Sequence, residues 1–306
     1  MFALETRDLC RSFGTLKAVD KLNLKVSEGE MFGLLGPNGA GKTTTVRMLA
    51  CLISPTSGSA SILGNSILTD QNKIRSLIGL LPESPGLYKN MSAYDNLDFY
   101  AKLYGISESQ RSKNIEKYLR LLEIWDRKDD DVGGFSKGME QKVAITRALI
   151  HEPKILFLDE PTSGLDPKAS KIVNDSLLAL REEKITIFLN THNLYQAQNL
   201  CDRVAIIKSN VIAEGEPKKL AQSLWGSETE IVIEKKTDKV IKAVKAMGSV
   251  KKMREEGDRL FIESKESGND NPDIINTIVK AGGRIKFVRE NTHSLDEVYM
   301  ELMEEK

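Results

Sequence analysis

The octapeptide GPNGAGKT, Gly36–Thr43, limits the possible folds of this chain more than any other feature. It fits the P-loop pattern G-x-x-x-x-G-K-[ST], in which glycines let the backbone wrap closely around phosphate oxygens. The apolar run EMFGLLG precedes it, and a helical pattern follows with Val46, Leu49, Ala50 and Ile53 on one face. The stretch therefore predicts a strand, a phosphate-binding loop and a helix, in that order.

Polar residues in and beyond this loop indicate nucleotide and magnesium chemistry. Lys42 is expected to reach the β- and γ-phosphates, and the Thr43 hydroxyl to ligate Mg²⁺. The segment KILFLDEP places Asp159 and Glu160 at the tip of a buried strand, where ligands of parallel sheets bind. Asp159 suits the Mg²⁺ shell and Glu160 suits a base for the attacking water, although such a pair also commonly caps a helix. His192 ends the strand ITIFLNTH at the same edge, placed to contact the γ-phosphate, although a lone histidine is more often structural.

The order of patterns along the chain predicts two domains. Strands alternating with helices indicate a mostly parallel sheet, interrupted by a helical stretch from about Ser92 to Asp131. Ser92, three residues before Asp95, resembles a capping box. The tail reads β-α-β-β-α-β, the ferredoxin-like plan, followed by a last helix. We expect a first domain over 1–217 with a helical subdomain at about 85–150, a linker over 218–227 and a small α+β domain over 228–306.

Composition excludes several classes of protein. The chain has 44 Lys+Arg and 44 Asp+Glu, so its even charge argues against a surface made for nucleic acid or anionic lipid. The widely spaced Cys10, Cys51 and Cys201 form neither a disulfide framework nor a zinc pattern, as expected for a reduced cytosolic protein. The first residues do not resemble a secretory leader, and the apolar runs are too short for a membrane helix.

Together these segments resemble the nucleotide-binding domain of ATP-binding cassette (ABC) proteins over about residues 3–217. The resemblance implies a P-loop NTPase fold with a mostly parallel sheet, an antiparallel β subdomain and a helical insertion. It makes the loop the Walker A motif and the strand ending in Asp159 and Glu160 the Walker B motif. The segment SGLD resembles the D-loop, His192 the switch histidine, and Phe13 the aromatic residue that stacks on adenine. The implied ATP-binding residues are Phe13, Gly36, Pro37, Asn38, Gly39, Ala40, Gly41, Lys42, Thr43 and Thr44.

The segment FSKGM, Phe135–Met139, is similar to the family's signature motif, usually Leu-Ser-Gly-Gly-Gln. In the family two domains meet head to tail around two ATP molecules. The resemblance therefore implies that Ser136, Gly138 and Asp166 act on ATP held by a partner cassette. An ordinary helix start with a serine cap is the alternative reading of this segment.

One departure from the family pattern concerns the metal site. Glu83, in LLPESPGLY, stands where the family usually has glutamine. A carboxylate can ligate magnesium, so Glu83 joins Thr43 and Asp159 in the expected metal set. The family's docking groove for a membrane partner lies beside this position.

The overall pattern is closest to ATPase subunits of ABC exporters. The resemblance implies ATP and Mg²⁺ as cofactors, a second cassette as an identical or paralogous partner, and a separate transmembrane permease, with no nucleic acid. It places the chain in the cytoplasm, peripheral on the inner face of the cell membrane. The alternative is a soluble ABC ATPase that remodels a ribosome or a nucleic-acid complex. For the tail, an appendage that stabilises the dimer competes with a small-ligand sensor.

Overall fold

The computed structural model describes residues 1–84, 86–220, 227–234, 237–264, 267–291 and 295–304. The chain divides into two compact units, Met1–Glu216 and Pro217–Lys306. Most of the predicted linker, at 221–226, lies outside the described residues, so its bounds and those of the predicted domains stay predictions.

The first unit mixes strands and helices. Its strands are β1 Phe2–Phe13, β2 Leu16–Leu22, β3 Lys25–Ser27, β4 Met31–Leu35, β5 Ser57–Ile62, β6 Asn65–Ser66, β7 Ile78–Leu81, β8 Ile155–Asp159, β9 Thr186–Asn190, β10 Arg203–Lys208 and β11 Asn210–Gly215. Its helices are α1 Lys42–Leu49, α2 Gln71–Leu77, α3 Ala93–Leu103, α4 Glu108–Leu121, α5 Lys137–Leu149, α6 Pro167–Glu182 and α7 Leu194–Leu200.

A mostly parallel, six-stranded sheet lies in the first unit, and its strand order is β11-β10-β4-β9-β8-β7. β10, β4, β9, β8 and β7 run parallel, and β11 is an antiparallel edge. β4, β8 and β9 are buried at every position, because helices and a second sheet cover both faces and their sequences are almost wholly apolar. At this centre the ring of Phe188 packs against those of Phe32 and Phe157, with centroids 5.6 and 5.5 Å away.

Two further layers flank this sheet. An antiparallel sheet has the order β2-β1-β5-β6, and β3 also pairs with β1. On another side, α3, α4 and α5 pack against one another as a helical subdomain. The predicted Ser92 cap is confirmed, because its hydroxyl accepts the Asp95 N–H at 3.0 Å and donates to the Asp95 carboxylate.

Helix α1 is shorter than its apolar pattern predicts, and the extension to Ile53 was wrong. The helix ends at Leu49, and Cys51 takes a left-handed conformation with φ +57°. The Leu52 N–H then bonds back to Arg47 O at 2.9 Å, which closes the helix end in the manner of a Schellman motif. Ile53 still packs against the core, but from the loop that follows.

The second unit has its own core. Its elements are β12 Ser227–Ile233, α8 Asp238–Lys245, β13 Val250–Glu256, β14 Arg259–Ser264, α9 Ser267–Lys280, β15 Ile285–Asn291 and α10 Leu295–Glu304. The sheet order is β13-β14-β12-β15 with antiparallel neighbours, so β14 separates the two strands that α8 connects. Its buried core comprises Ile231, Ile233, Val240, Val244, Leu260, Ile262, Ile274 and Ile278. Over the parts of the chain that the structure describes, no helix is both long enough and apolar enough to cross a membrane.

Candidate nucleotide-binding site

The glycine-rich loop connects β4 to α1 and is built for close backbone approach. Gly41 precedes the helix at φ +95°, and a Cβ there would lie 2.2 Å from Ala18 O. A Cβ on Gly36 would lie 2.4 Å from Ile207 O. These two positions therefore require glycine, and the loop they shape presents backbone N–H groups at a helix N-terminus, a favourable place for phosphate.

Lys42 lies inside this loop and holds it closed. Its ammonium donates to Gly36 O at 2.7 Å and to Pro37 O at 3.2 Å. Burial lowers the pKa of Lys42, and the carboxylates of Glu160 and Asp159 act in the opposite direction. The loop thus carries a partly desolvated cation next to the place where phosphates are expected.

The ends of β8 and β9 bring the polar residues of two segments to this loop. Asp159 and Asn190 are register partners at the last position of their strands. The Thr43 hydroxyl donates to Asp159 Oδ1 at 3.4 Å, and the Asn190 amide donates to the same oxygen. Burial is the main cause that raises the pKa of Asp159, and the nearby carboxylates of Glu160 and Glu83 add to it. Neither Asp159 nor Glu160 caps the next helix, because Asp166 is the N-cap of α6.

Glu160 and His192 meet directly. Glu160 Oε1 lies 2.8 Å from His192 Nδ1, and Glu160 Oε2 accepts the Thr191 hydroxyl at 3.4 Å. Glu160 has a left-handed backbone with φ +52°, fixed by its N–H bond to Asn190 O at 2.9 Å. The carboxylate is thus held beside the loop, with a histidine as neighbour on the solvent side.

These groups line one cleft of about 390 Å³. Its predicted members are Phe13, Asn38, Gly39, Gly41, Lys42, Thr43, Thr44, Glu83, Asp159, Glu160 and His192. Gly36, Pro37 and Ala40 belong to the same loop but do not line the cleft. Leu16, Ala18, Ser163 and Asn190 also line it and were not predicted as site residues.

Phe13 forms the apolar end of the cleft. Its ring is about half exposed, and the Arg11 guanidinium carbon lies 4.6 Å from the ring centroid. Arg11 is itself fixed by a 2.8 Å bond from Nη1 to Ser54 O. One face of the ring is therefore covered by a cation, an arrangement that suits an aromatic platform.

The residues present fit a nucleotide with a divalent cation. The loop fits phosphate, because its tight backbone path, which a side chain at Gly36 or Gly41 would disrupt, brings N–H groups to a helix N-terminus. A hydroxyl, Thr43, and a buried carboxylate, Asp159, share a hydrogen bond, and oxygen donors of this kind are the ligands that Mg²⁺ prefers. Glu83 is exposed in the loop after β7 and adds a third carboxylate to the cleft.

The predicted signature residues lie outside this cleft. Ser136 Oγ caps α5 by accepting the Met139 N–H at 3.3 Å, and Asp166 Oδ1 caps α6 by accepting the Ala169 N–H at 2.9 Å. The two helix starts are in contact, since a Cβ on Gly138 would lie 2.9 Å from Ala169 Cβ. Gln141 of α5 donates to Pro161 O at 3.0 Å, which ties this helix to the residue after Glu160.

The chain is similar in sequence to several known proteins. The sequence model of the family described as "ABC transporter" matches residues 19–163. The chain is 41% identical over 215 residues to the bacitracin transport ATP-binding protein BcrA of Bacillus licheniformis, covering 70% of this chain and 69% of the relative. It is 32% identical over 300 residues to the Nod factor export ATP-binding protein I of Cupriavidus metallidurans, covering 98% of this chain and 96% of the relative.

A solved structure, the dimeric post-hydrolysis state of the ATP-binding cassette MJ0796 bound to ADP and Pi, is also similar. It has a TM-score of 0.64 and 26% sequence identity, and the match covers 70% of this chain and 98% of that chain. The fold of the first unit is thus that of an ABC cassette, in which a P-loop and two acidic strand-end residues share one cleft. Sequence, fold and site agree that this chain belongs to the ABC transporter family, as one of its ATP-hydrolysing, ATP-binding subunits.

Proposed function

We propose that this chain drives an ABC exporter by ATP-dependent dimerisation, coupled to a separate transmembrane permease. The observation that carries the proposal is the separation of the two predicted phosphate-binding surfaces. The P-loop lines the cleft, whereas Ser136 and Gly138 do not. One chain therefore supplies half of each of two sites, and two chains in C2 symmetry complete both.

Within the cleft, we assign the chain's own residues to three tasks. The P-loop N–H groups and Lys42 hold the phosphates, and the Phe13 ring supports the adenine. Thr43, Asp159 and Glu83 would hold Mg²⁺, which would neutralise phosphate charge in the cleft. Glu160 accepts a proton from the attacking water, and His192 keeps that carboxylate in place through its 2.8 Å contact.

The second surface acts on the nucleotide of the partner. The start of α5 offers free backbone N–H groups and the positive end of the helix dipole, which suits a γ-phosphate. Ser136, Gly138 and Asp166 lie at the contacting starts of α5 and α6. A phosphate gripped from both sides draws two cassettes together, and its removal by hydrolysis lets them separate.

An aromatic surface on the helical subdomain is an argument for a membrane partner. The rings of Tyr88, Phe99 and Tyr100 contact one another with centroids 5.4–6.1 Å apart, and Tyr88 and Phe99 are 49% and 37% exposed. Aromatic side chains with one exposed face are typical of interface anchors. The Arg147 guanidinium lies over Tyr100, and its Nη1 donates to Gly86 O at 3.4 Å, in the segment that follows Glu83. We infer that this surface docks the permease on the inner face of the cell membrane.

The export direction is supported by the relatives, one of which is named for Nod factor export. The test is a pull-down of tagged Glu160→Gln protein, trapped with ATP and Mg²⁺, from gently solubilised native membranes. Stoichiometric recovery of one multi-span membrane protein supports the proposal and leads to the substrate. Recovery of ribosomes or nucleic acid from the soluble fraction instead would replace it with a remodelling ATPase.

The control for this pull-down is Glu152→Gln, which removes the same charge from an exposed residue. Glu152 also has a left-handed backbone, with φ +53° against +52° for Glu160. Glu152 does not line the cleft, so this variant should still turn over ATP and should retain the partner less firmly than the trapped protein. Equal retention by both variants would show that the interaction does not depend on nucleotide trapping.

A further inference from the structure

A buried amide at the end of β9 lines the cleft, and the proposed function gives it no task. Asn190 is 1% exposed and lines the cleft with Thr43 and Asp159. Its register partner across the sheet is Asp159. Because strand partners in a parallel sheet present their side chains side by side, this amide lies next to the carboxylate of the Walker B motif.

The nitrogen and the oxygen of the Asn190 amide differ in their hydrogen bonding. Nδ2 donates to Asp159 Oδ1. Oδ1 is buried, and within the described ranges no donor lies within hydrogen-bonding distance of it. A buried polar atom normally has a partner, and exceptions tend to mark functional sites. Asn190 lines the cleft, so a water held there is an available donor for this oxygen.

The same hydrogen bonds decide which oxygen of Asp159 is available. Oδ1 receives both the Thr43 hydroxyl and the Asn190 amide. Two donors on one oxygen fix the rotation of the carboxylate, and Oδ2 is the oxygen that bonds to neither of these two groups. The carboxylate then presents its free oxygen in one defined direction. Hydrogen-bond partners of metal ligands commonly orient those ligands in this way.

We propose that Asn190 is a positioning residue for the magnesium site, with Nδ2 orienting Asp159 and Oδ1 accepting a hydrogen bond from a water of the cation's hydration shell. This inference rests on the assignment of Thr43 and Asp159 to Mg²⁺ under the proposed function. Mg²⁺ usually retains several waters in proteins, so an acceptor beside its carboxylate ligand has a suitable donor. An apolar residue of similar size would leave both the carboxylate and the water without this partner.

The test compares nucleotide affinity with and without the cation. The affinity for a non-hydrolysable ATP analogue is measured by calorimetry in Mg²⁺ and again in EDTA, and the ratio of the two is the readout. For Asn190→Leu we expect this ratio to fall by about tenfold, in the range seen when outer-sphere partners of metals are removed. The affinity in EDTA should stay within about twofold, because the P-loop contacts are untouched.

Asn114→Leu is the matched control. Asn114 is 3% exposed, and its amide donates to Ile150 O at 2.8 Å, away from the residues that line the cleft. This variant also loses a buried amide, so it should lose stability without changing the affinity ratio. A purely structural role for Asn190 would give the same result in Asn190→Leu, and that result would overturn the proposal.

Asp159→Asn separates the inference from the assignment on which it rests. If Asp159→Asn leaves the ratio unchanged, the metal assignment itself fails. If Asp159→Asn lowers the ratio and Asn190→Leu does not, only the inference fails. Should Asn190→Leu not fold, Asn190→Val carries the test, since a β-branched residue suits a buried strand.

Discussion

Glu160 Oε1 and His192 Nδ1 lie 2.8 Å apart, joining the residue after β8 to a residue just beyond β9. Glu160 is mostly buried, with its side chain 15% exposed, whereas His192 is 64% exposed. The carboxylate is therefore held on its inner side by the sheet edge and on its outer side by a residue open to the solvent. This arrangement gives the proposed base, Glu160, a fixed position. Its neighbour His192 is exposed and lines the cleft, so it is accessible to a bound ligand.

The first prediction concerns Glu160→Gln. Removing the carboxylate should lower the rate of ATP turnover by roughly 10²–10⁴-fold, the usual contribution of a general base. Binding of ATP should persist, because the P-loop contacts are unchanged, and the chain should remain as a dimer. Phosphate release and light scattering measure the two effects. A monomer at saturating ATP and Mg²⁺ would contradict the scheme, while Glu152→Gln should behave as the wild type.

The second prediction concerns Lys42→Ala. The affinity for ATP should fall by roughly 10–100-fold, because a hydrogen bond to a charged group contributes about 1.5–3 kcal/mol. Calorimetric titration measures the affinity, and Lys154→Ala, at an exposed lysine, is the control. An unchanged affinity would remove Lys42 from the phosphate site. Urea unfolding should accompany the titration, since Lys42 also bonds to its own loop.

The third prediction compares two glycines of the loop. Gly39 and Gly41 both have positive φ, +83° and +95°, but a Cβ on Gly39 meets nothing within 4 Å. Gly39→Ala should lower the free energy of unfolding by roughly 1–2 kcal/mol, from backbone strain alone. Gly41→Ala adds a clash with Ala18 O and should lower it by roughly 2–5 kcal/mol. Urea unfolding of both variants checks the order, and equal losses would refute the role of the close approach.

The fourth prediction concerns pH and His151. This ring stacks on Tyr104 with centroids 3.9 Å apart, and its Nε2 lies 2.9 Å from Ile78 O. Burial is the main cause that lowers the pKa of His151 below its ordinary 6.5, so the unfolded chain takes up this proton first as the pH falls. The stabilising contribution is therefore present above about pH 6.5 and is lost as the pH falls from there through the folded pKa.

The measurement is the free energy of unfolding at several pH values between about 5.5 and 7.5, around the ordinary histidine pKa. Subtracting the values for His151→Gln from those of the wild type isolates the contribution of the ring. This difference should decrease as the pH is lowered. Parallel profiles for the two proteins would show that the burial of His151 has no effect on its titration.

Much of the fold and site was predictable because the decisive patterns are local. The spacing of GPNGAGKT fixes a loop between a strand and a helix, and the apolar run before Asp159 fixes a buried strand with its acidic pair at the end. Parallel strands bring such ends to one edge, so the meeting of Asp159, Glu160 and Lys42 in one cleft followed from the segments alone. The roles given to these residues remain predictions.

What was missed depends on contacts between distant segments. Asn190 carries no motif of its own, and its importance appears only when β9 is aligned with β8 and its amide is found beside Asp159. A search for polar residues at the ends of all predicted parallel strands would have found it. The early end of α1 was missed for another reason. The apolar pattern continues to Ile53, and it contains no signal for the left-handed conformation of Cys51 that ends the helix.

The bonds from Lys42 to the carbonyls of Gly36 and Pro37 have a consequence for how ligand affinity arises. The ammonium loses part of its water when the chain folds, before any phosphate binds. The unfavourable free energy of that dehydration therefore lowers the stability of the ligand-free protein. It does not reduce the affinity for nucleotide, because the ammonium is already partly dehydrated when the ligand binds. A P-loop that left its lysine hydrated would have a higher free energy of unfolding without ligand, but it would bind nucleotide less tightly. In this loop, a lower stability of the ligand-free protein therefore accompanies a higher affinity for nucleotide.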